Sequence, residues 1–453
     1  MKYLRSVFII LLIVTFFSCE KSSTSSNTVY ITFADVNFEQ LIRDTIEKPE
    51  GDITQTDMEM LTELIGNGLG IIDLTGIEYC INLVYLDLSD NQIVDISQLV
   101  DNNGFDADDF IDLQGNPLNN TAKDTYIPQL QARGVYVYYD ESDVVVVITD
   151  VNFETLIRGI LQKPSGDITN NDLASMTKID GRNSGVNDIT GIEYCKNLTY
   201  LDLYNCGMTD ISAIKGLRKL KDLYLYRNNV SSIEYITGMS QLRNVSIGHN
   251  NISDISTLTT LPKLVYLSIG DNPIADLSII GNLTNLTYIS IVTLNLTNLN
   301  LIQNLTNLES IEARYNHISD IAALGNLTEL GRIAIDGNSI TDISVISTLT
   351  KLNDISFNSN NISDISVITS LPNLTGAGFG NNNLSDISPI ADATCDFDYI
   401  YIADNQITDI KPIVDNANIT DGDDIYIANN PLNETSINTY IPQLEARGVT
   451  VHQ

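Results

Sequence analysis

Hydrophobic and polar positions along this chain recur every 22 residues. From Ser184 to Asn382 the pattern L-x-x-L-x-L-x-x-N-x-I-x-D-I returns in register, as in LKDLYLYRNNVSSI, LVYLSIGDNPIADL and LNDISFNSNNISDI. With the asparagine set at zero, the apolar residues at −8, −5, −3, +2 and +5 point inward. Alternation along an extended strand then turns −6, −4 and −2 outward on a parallel sheet. Each repeat reads as one coil with a short strand, and neighbouring coils bury their apolar faces against each other instead of around a central nucleus.

Two polar ladders run through the pattern. Asn228, Asn250, Asn272, Asn316, Asn338, Asn360, Asn382, Asn405 and Asn430 hold the zero position. There an amide can donate to and accept from the backbone where the chain turns off the strand. Cys206 and Leu294 interrupt this ladder, which predicts local irregularity, above all at Leu294. At +4 stand Asp188, Asp210, Asp254, Asp276, Asp320, Asp342, Asp364, Asp386 and Asp409, with Ser232 and Asn298 as exceptions. The spacing predicts that each carboxylate caps the turn on the return side. The competing expectation is Ca2+ held between successive carboxylates, roughly 5 Å apart at strand spacing.

A leucine and asparagine spacing of this period is the signature of a leucine-rich-repeat solenoid. The expected fold is an α/β solenoid, a horseshoe with a parallel concave sheet. The repeats resemble those of bacterial leucine-rich-repeat proteins of the internalin type, which share N-x-I-x-D-I and carry a helical N-terminal cap. The resemblance implies a concave sheet that binds a partner protein, often on a host or neighbouring cell. The immunoglobulin-like domain and the LPxTG tail found in many of those proteins have no counterpart in this sequence.

A longer repeat lies above the short one. DVNFEQLIRDTIEKPEGDITQTD, from Asp35 to Asp57, returns 115 residues later as DVNFETLIRGILQKPSGDITNND. NPLNNTAKDTYIPQLQARGVYV, from Asn116, returns at Asn430 as NPLNETSINTYIPQLEARGVTV. A solenoid's first and last coils need their apolar faces covered, so these segments read as caps. In the first, Val36, Phe38, Leu41, Ile42 and Ile46 follow helical spacing after an Asp35 N-cap, and T-x-x-D at Thr54 starts a second helix. Ile127 to Leu130 and Ile441 to Leu444 read as short helices, followed by Gly134 or Gly448 and an edge strand. The chain thus divides into two tandem modules. Residues 30–140 hold three coils, at Leu69, Asn91 and Asn116, and residues 144–453 hold twelve, from Ser184 to Asn430. Whether Val144 to Ile148 continues the strand at Val135 to Tyr139, packing the modules together, is left open by the sequence.

Residues 1–18 read as an export signal: Lys2 and Arg5 precede an apolar run, Val7 to Phe17, too short to span a bilayer. Ser18-Cys19 and the polar tether over 19–29 resemble a bacterial lipoprotein signal, which implies lipidation at Cys19 and attachment to an outer membrane through that lipid alone. Ordinary cleavage at a nearby site is the alternative. The formal charge of −34 repels nucleic-acid backbones and anionic membranes, so nucleic acid is not an expected partner. Cys80, Cys195 and Cys395 replace the same inward leucine on separated coils and read as buried hydrophobes, without C-x-x-C metal spacing.

Once the period has assigned the scaffold, the residues it does not dictate are the candidates for binding. The first coils of the second module present Tyr200, Asp202, Tyr204, Asp222, Tyr224, Tyr226 and Arg227 on the concave side, with Tyr266 and Tyr288 further along. Tyr and Arg are the residues most enriched at binding hot spots, and the large amphipathic ring of Tyr buries area at little entropy cost. Ser246, Gly248, Ser268 and Gly270 leave the middle bare, Glu312, Arg314, Tyr315 and Arg332 form a charged island, and Tyr399, Tyr401 and Tyr426 form a second tyrosine group. High β-propensity alone could also place tyrosines on an exposed strand face. The three histidines share no ligand spacing, and no nucleophile-elbow, Walker or H-E-x-x-H motif occurs, so the chain reads as a binder, not an enzyme. A protein partner is expected, with adhesion or cell-cell interaction as the role. A glycan-capturing lipoprotein and a structural surface protein are the alternatives.

Overall fold

The computed structural model describes residues 28–453, so the expected export signal, Cys19 and most of the polar tether lie outside the described residues. Two parallel sheets form in chain order. Glu63–Ile65, Tyr85–Asp87, Phe110–Asp112 and Tyr136–Tyr138 make a four-stranded sheet, and a thirteen-stranded sheet runs from Lys178–Asp180 to Thr450–His452. Pairing joins equal repeat positions, Leu201 with Leu223 and Ile289 with Ile311, so every inward residue meets its counterpart one coil away. In one coil Leu242, Val245, Ile247, Ile252 and Ile255 are all buried, and short 3-10 turns such as Ser256–Thr260 return the chain. The result is the leucine-rich-repeat horseshoe, with its core strung along the axis.

The asparagine amide ties adjacent coils. Asn250 Nδ2 donates to Leu225 O of the preceding coil at 2.9 Å and to Ile247 O at 3.0 Å, while its Oδ1 accepts from Val230 N at 2.9 Å. Cys206 substitutes in part, its thiol donating to Gly181 O at 3.0 Å. The irregularity expected at Leu294 occurs in the turn and not in the sheet, where Tyr288 pairs with Ser310 in unbroken register. The residue after Leu294, Asn295, is left-handed at φ 58°, as are Gly70, Gly185 and Gly207 after Leu69, Ser184 and Cys206. Where asparagine holds the zero position, the next residue keeps negative φ. The side-chain amide thus does what a left-handed step does elsewhere, and three of the four exceptions use glycine, which takes positive φ without a Cβ clash.

The +4 aspartates cap their own turns. Asp254, Asp342 and Asp364 each accept from the backbone N–H two residues on at 2.8 Å. These bonds hold the Asp254 and Asp342 carboxyls below the usual carboxylate range. At the N-terminal caps, Asp35 accepts from Asn37 and Phe38 at the start of helix Val36–Thr45 and from Ile72 of the first coil. Burial pushes its carboxyl up, but the backbone N–H bonds outweigh it and leave it lowered. Thr54 and Thr169 form full capping boxes with Asp57 and Asp172. Cys80, Cys195 and Cys395 are buried, and burial pushes the Cys195 thiol up to about 12 and the Cys395 thiol to about 11. Val145 bridges Thr169 antiparallel, as Tyr30 bridges Thr54, so the segment after the junction belongs to the second cap and does not extend the strand before it.

The modules pack through a face that the sequence did not single out. The concave side of the four-stranded sheet carries Tyr85, Phe110 and Tyr138, all buried, against the flank of the long module's early coils. Tyr138 Oη donates to Gly216 O, Lys219 pairs with Asp112, and Arg218 lies 4.0 Å over the Tyr136 ring with Nη2 2.9 Å from Asp108. Further along, Gln241 Nε2 and Lys263 Nζ reach Glu63 at 2.9 and 2.6 Å. Lys219, Gln241 and Lys263 hold the same position on three successive coils, three residues before the strands at Asp222, Asn244 and Tyr266, so they reach the short sheet as one row.

Candidate binding face

The long module's concave face stays open, and three outward columns build it. Along the −2 column Tyr204 stacks on Tyr226 with centroids 5.9 Å apart and planes 3° apart, and Tyr226 stacks in turn on His249, at −1 of the next coil, at 6.0 Å. Along the −6 column Tyr266 and Tyr288 stack at 4.3 Å and 2°. In-register parallel strands bring equal positions within about 4.8 Å, which is what makes rings of successive coils pair face to face. Tyr200 is held between Lys178 Nζ, 4.3 Å from its centroid, and Tyr224 at 5.5 Å. Burial, and then the neighbouring Asp202 charge, push the Tyr200 hydroxyl up to about 12; burial likewise raises Tyr224, Tyr266 and Tyr288. All four are neutral donors at physiological pH.

Between these rings the sheet is floored by small residues. Ser246, Ser268, Ser290 and Gly270 form the base of a depression of about 730 Å³, flanked on one side by Tyr224 and Tyr226, with Arg182, Asp202 and Tyr204 beyond them, and on the other by Glu312 and Arg314. A Cβ on Gly248 would come within 3.0 Å of the Tyr226 ring, and one on Gly270 within 2.7 Å of Val292 O, so larger residues there would fill the hollow.

The structure brings Asp202, Tyr204, Tyr224, Tyr226, Tyr266 and Tyr288 to this depression, while Tyr200, Asp222 and Arg227 stand outside its lining. Asp202 is a support and not a presented group. It is buried, accepting from Tyr204 N at 3.0 Å and from Tyr200 Oη at 3.2 Å. Asp222 holds Asn244 Nδ2 at 2.5 Å, and Arg227, left-handed at φ 60°, reaches the Tyr204 hydroxyl at 3.5 Å. Sequence reasoning set Glu312, Arg314 and Tyr315 apart as an island, whereas they form the far wall of the same hollow, and it did not count His249 among the binding candidates. The signal that finds them is the column: residues at −4, −2 and −1 on consecutive coils are spatial neighbours whatever their type.

Among the described residues no three His, Cys, Asp or Glu side chains converge as a metal site, and no helix is long and apolar enough to cross a membrane. The +4 carboxylates would be the residues to hold a cation, but an oxygen of each one described above is already committed to its own turn.

The family described as Leucine Rich repeats (2 copies) matches residues 196–238 and 240–282. A crystal structure of an internalin from Listeria monocytogenes is similar over 95% of this chain and 99% of its own, with a TM-score of 0.51 and 23% identity. A leucine-rich-repeat protein of Leptospira interrogans is similar over 88% of this chain and 97% of its own, with a TM-score of 0.54 and 19% identity. No curated protein matches the chain.

Proposed function

From an internalin-like leucine-rich-repeat solenoid that leaves one concave face open, we propose a non-catalytic binding protein that holds a protein partner in that face, for adhesion to or contact with another cell. The pre-stacked tyrosine columns around a small-residue floor carry the reading. Their rings are fixed by neighbouring coils before a ligand arrives, so little side-chain entropy is lost on binding. The stacking also favours protein over glycan. Sugars rest on exposed ring faces, whereas Tyr266 and Tyr288 turn their faces to each other and offer edges and hydroxyls. Export through residues 1–18 and lipid attachment at Cys19 complete the proposal, supported by the charged and apolar pattern of that segment.

Capture from a surface-protein extract of host or neighbouring cells, run beside a glycan array, tests it. The variant Tyr200→Ala/Tyr204→Ala/Tyr224→Ala/Tyr226→Ala is expected to lose the captured protein, by tenfold or more in affinity. Equal retention by wild type and variant would remove this site. Mass spectrometry of the exported chain tests the anchor, since Cys19→Ser should abolish the lipidated N-terminus.

A further inference from the structure

The far end of the long concave face holds a second hollow of different chemistry. Tyr399, Tyr401 and Tyr426 enclose about 520 Å³ with Asp398 and Asp424, and an adjoining 510 Å³ lies between Tyr401 and Asp404. Two glycines let the rings lie down over the sheet: a Cβ on Gly380 would stand 2.1 Å from Tyr401 Cε1, and one on Gly376 2.4 Å from Tyr399 Cε1. Tyr401 meets Tyr426 at 5.4 Å with a 36° tilt and Tyr426 stacks on His452 at 4.1 Å, while the preceding coil, with Gly378 and Gly380 at its outward positions, sets no ring against Tyr401.

Charge separates this hollow from the first. The first is lined by Arg182 and Arg314 as well as by acids. The second is lined by Asp398, Asp424 and Asp404 without any Lys or Arg. Asp404 accepts from Asn429 and Asp424 pairs with His452, but Asp398 is exposed and forms no ion pair among the described residues. Arg332 and Arg314, the nearest cations along the sheet, are bound to Asp354 and Asp336.

The chain itself shows what such a surface accepts. At the 314-residue offset of the duplicated ends, the short sheet's last two strands correspond to Asp424–Tyr426, which lines the hollow, and to Thr450–His452, the strand beside it. There Arg218 stacks at 4.0 Å over Tyr136 and pairs with Asp108, while Lys219 pairs with Asp112. Aromatic faces beside unneutralised carboxylates attract a cation by ring quadrupole and charge together, and a guanidinium, planar and able to bridge a carboxylate through two N–H groups, suits both better than an ammonium.

We propose that the hollow formed by Tyr399, Tyr401, Tyr426, Asp398 and Asp424 is a second docking site, which takes an arginine side chain of a partner protein segment. The site stands apart from the tyrosine depression of the early coils and does not depend on it.

Fluorescence anisotropy with a dye-labelled, end-blocked Gly-Arg-Gly-Arg-Gly peptide, on the full chain at 150 mM salt, tests the proposal. One saturable site is expected, with binding about tenfold weaker for the same peptide carrying citrulline in place of arginine. Tyr401→Ala should weaken binding about tenfold although it leaves the net charge unchanged, which separates the site from general attraction to an acidic protein. Gly380→Ala, which pushes the Tyr401 ring aside, should act in the same direction. Tyr401→Phe should bind as wild type, and so should the fourfold tyrosine variant of the early coils. Absence of saturable binding, equal affinity for the citrulline peptide, or undiminished binding by Tyr401→Ala in protein that melts as wild type would each overturn the proposal.

Discussion

Val84-Tyr85-Leu86-Asp87-Leu88 in the short module and Thr199-Tyr200-Leu201-Asp202-Leu203 in the long one place the same Y-L-D-L at the same repeat position, yet their tyrosines meet opposite fates. Tyr85 is 5% exposed beneath the long module's flank, whereas Tyr200 remains half-buried on an open face. Position within the repeat decides which way a side chain points. What lies opposite decides whether it is core or surface, and that depends on another part of the chain more than 100 residues away. The covered face therefore serves as an internal example of what the open face can do, since tyrosine columns with interspersed carboxylates have already accepted a protein surface bearing Arg218, Lys219 and Lys263.

The largest expected effect comes from cutting into the covered face. Phe110 is buried and packs on Tyr85 at 4.9 Å and on Tyr138 at 4.8 Å. Phe110→Ala should cost about 4 kcal/mol, through lost burial and an unfilled cavity, read as a lower urea midpoint. Tyr226→Ala, in the open stack, should cost less than about 1 kcal/mol, because its ring is only partly withdrawn from water. Similar costs for the two would mean that the short module's concave face is not covered in solution.

Arg218→Ala is expected to cost about 3 kcal/mol, since the guanidinium side chain is 1% exposed and its loss leaves Asp108 without that cation. Its clearer readout is geometry. Small-angle scattering should show a larger radius of gyration, and proteolysis should begin near the junction at 140–144. An unchanged radius together with wild-type stability would show that the modules are held by other contacts.

A pH series sharpens the same comparison on a smaller scale. Burial, opposed by Lys219, pushes the Asp112 carboxyl up to about 6. A carboxyl raised in the folded state binds its proton more tightly there than in the unfolded chain, so its contribution to stability is fully present below the unfolded value of 3.8 and is lost as pH rises through about 6. Acidification from pH 7 to 5 should therefore strengthen the fold by about 1 kcal/mol through this group. Carboxyls such as Asp35 and Asp57 are lowered and titrate below this window, with the opposite sign. In Asp112→Asn the gain should vanish; its persistence would place the titrating group elsewhere.

Much of this fold was legible because the period is strict. Inward leucines, the asparagine ladder, the Asp35 and Thr54 caps and the outward tyrosine columns all follow from local spacing. Two things were not. The left-handed step after Leu69, Ser184, Cys206 and Leu294 was visible as Gly70, Gly185 and Gly207, but its meaning needed the hydrogen bonds that asparagine makes in the other coils. The contacts of Arg218 with Asp108 and Tyr136 join residues 110 and 82 apart, and no repeat rule relates them. In the candidate site the outward strand positions were legible from the period, but Asp202 was taken as a presented group when its carboxylate braces Tyr200 and Tyr204.

The smallest effect expected is no effect, and it probes what the two modules share instead of what divides them. The +4 aspartates recur in both: Asp73 and Asp95 accept from Thr75 and Ser97 in the short module, as Asp254 accepts from Ser256 in the long one. If those backbone bonds are the function of the ladder, a chelator removes nothing. Unfolding followed by circular dichroism, with and without EDTA, should give midpoints within about 1 °C, whereas an ion that binds only the folded state would raise the midpoint and its removal would lower it. A ladder of calcium between coils would instead be most extensive in the long module, with its many successive carboxylates, and least in the short one with two. Chelation would then lower the long module's transition and spare the short module's, splitting a shared transition into two, and that outcome would return the aspartates from turn caps to ligands.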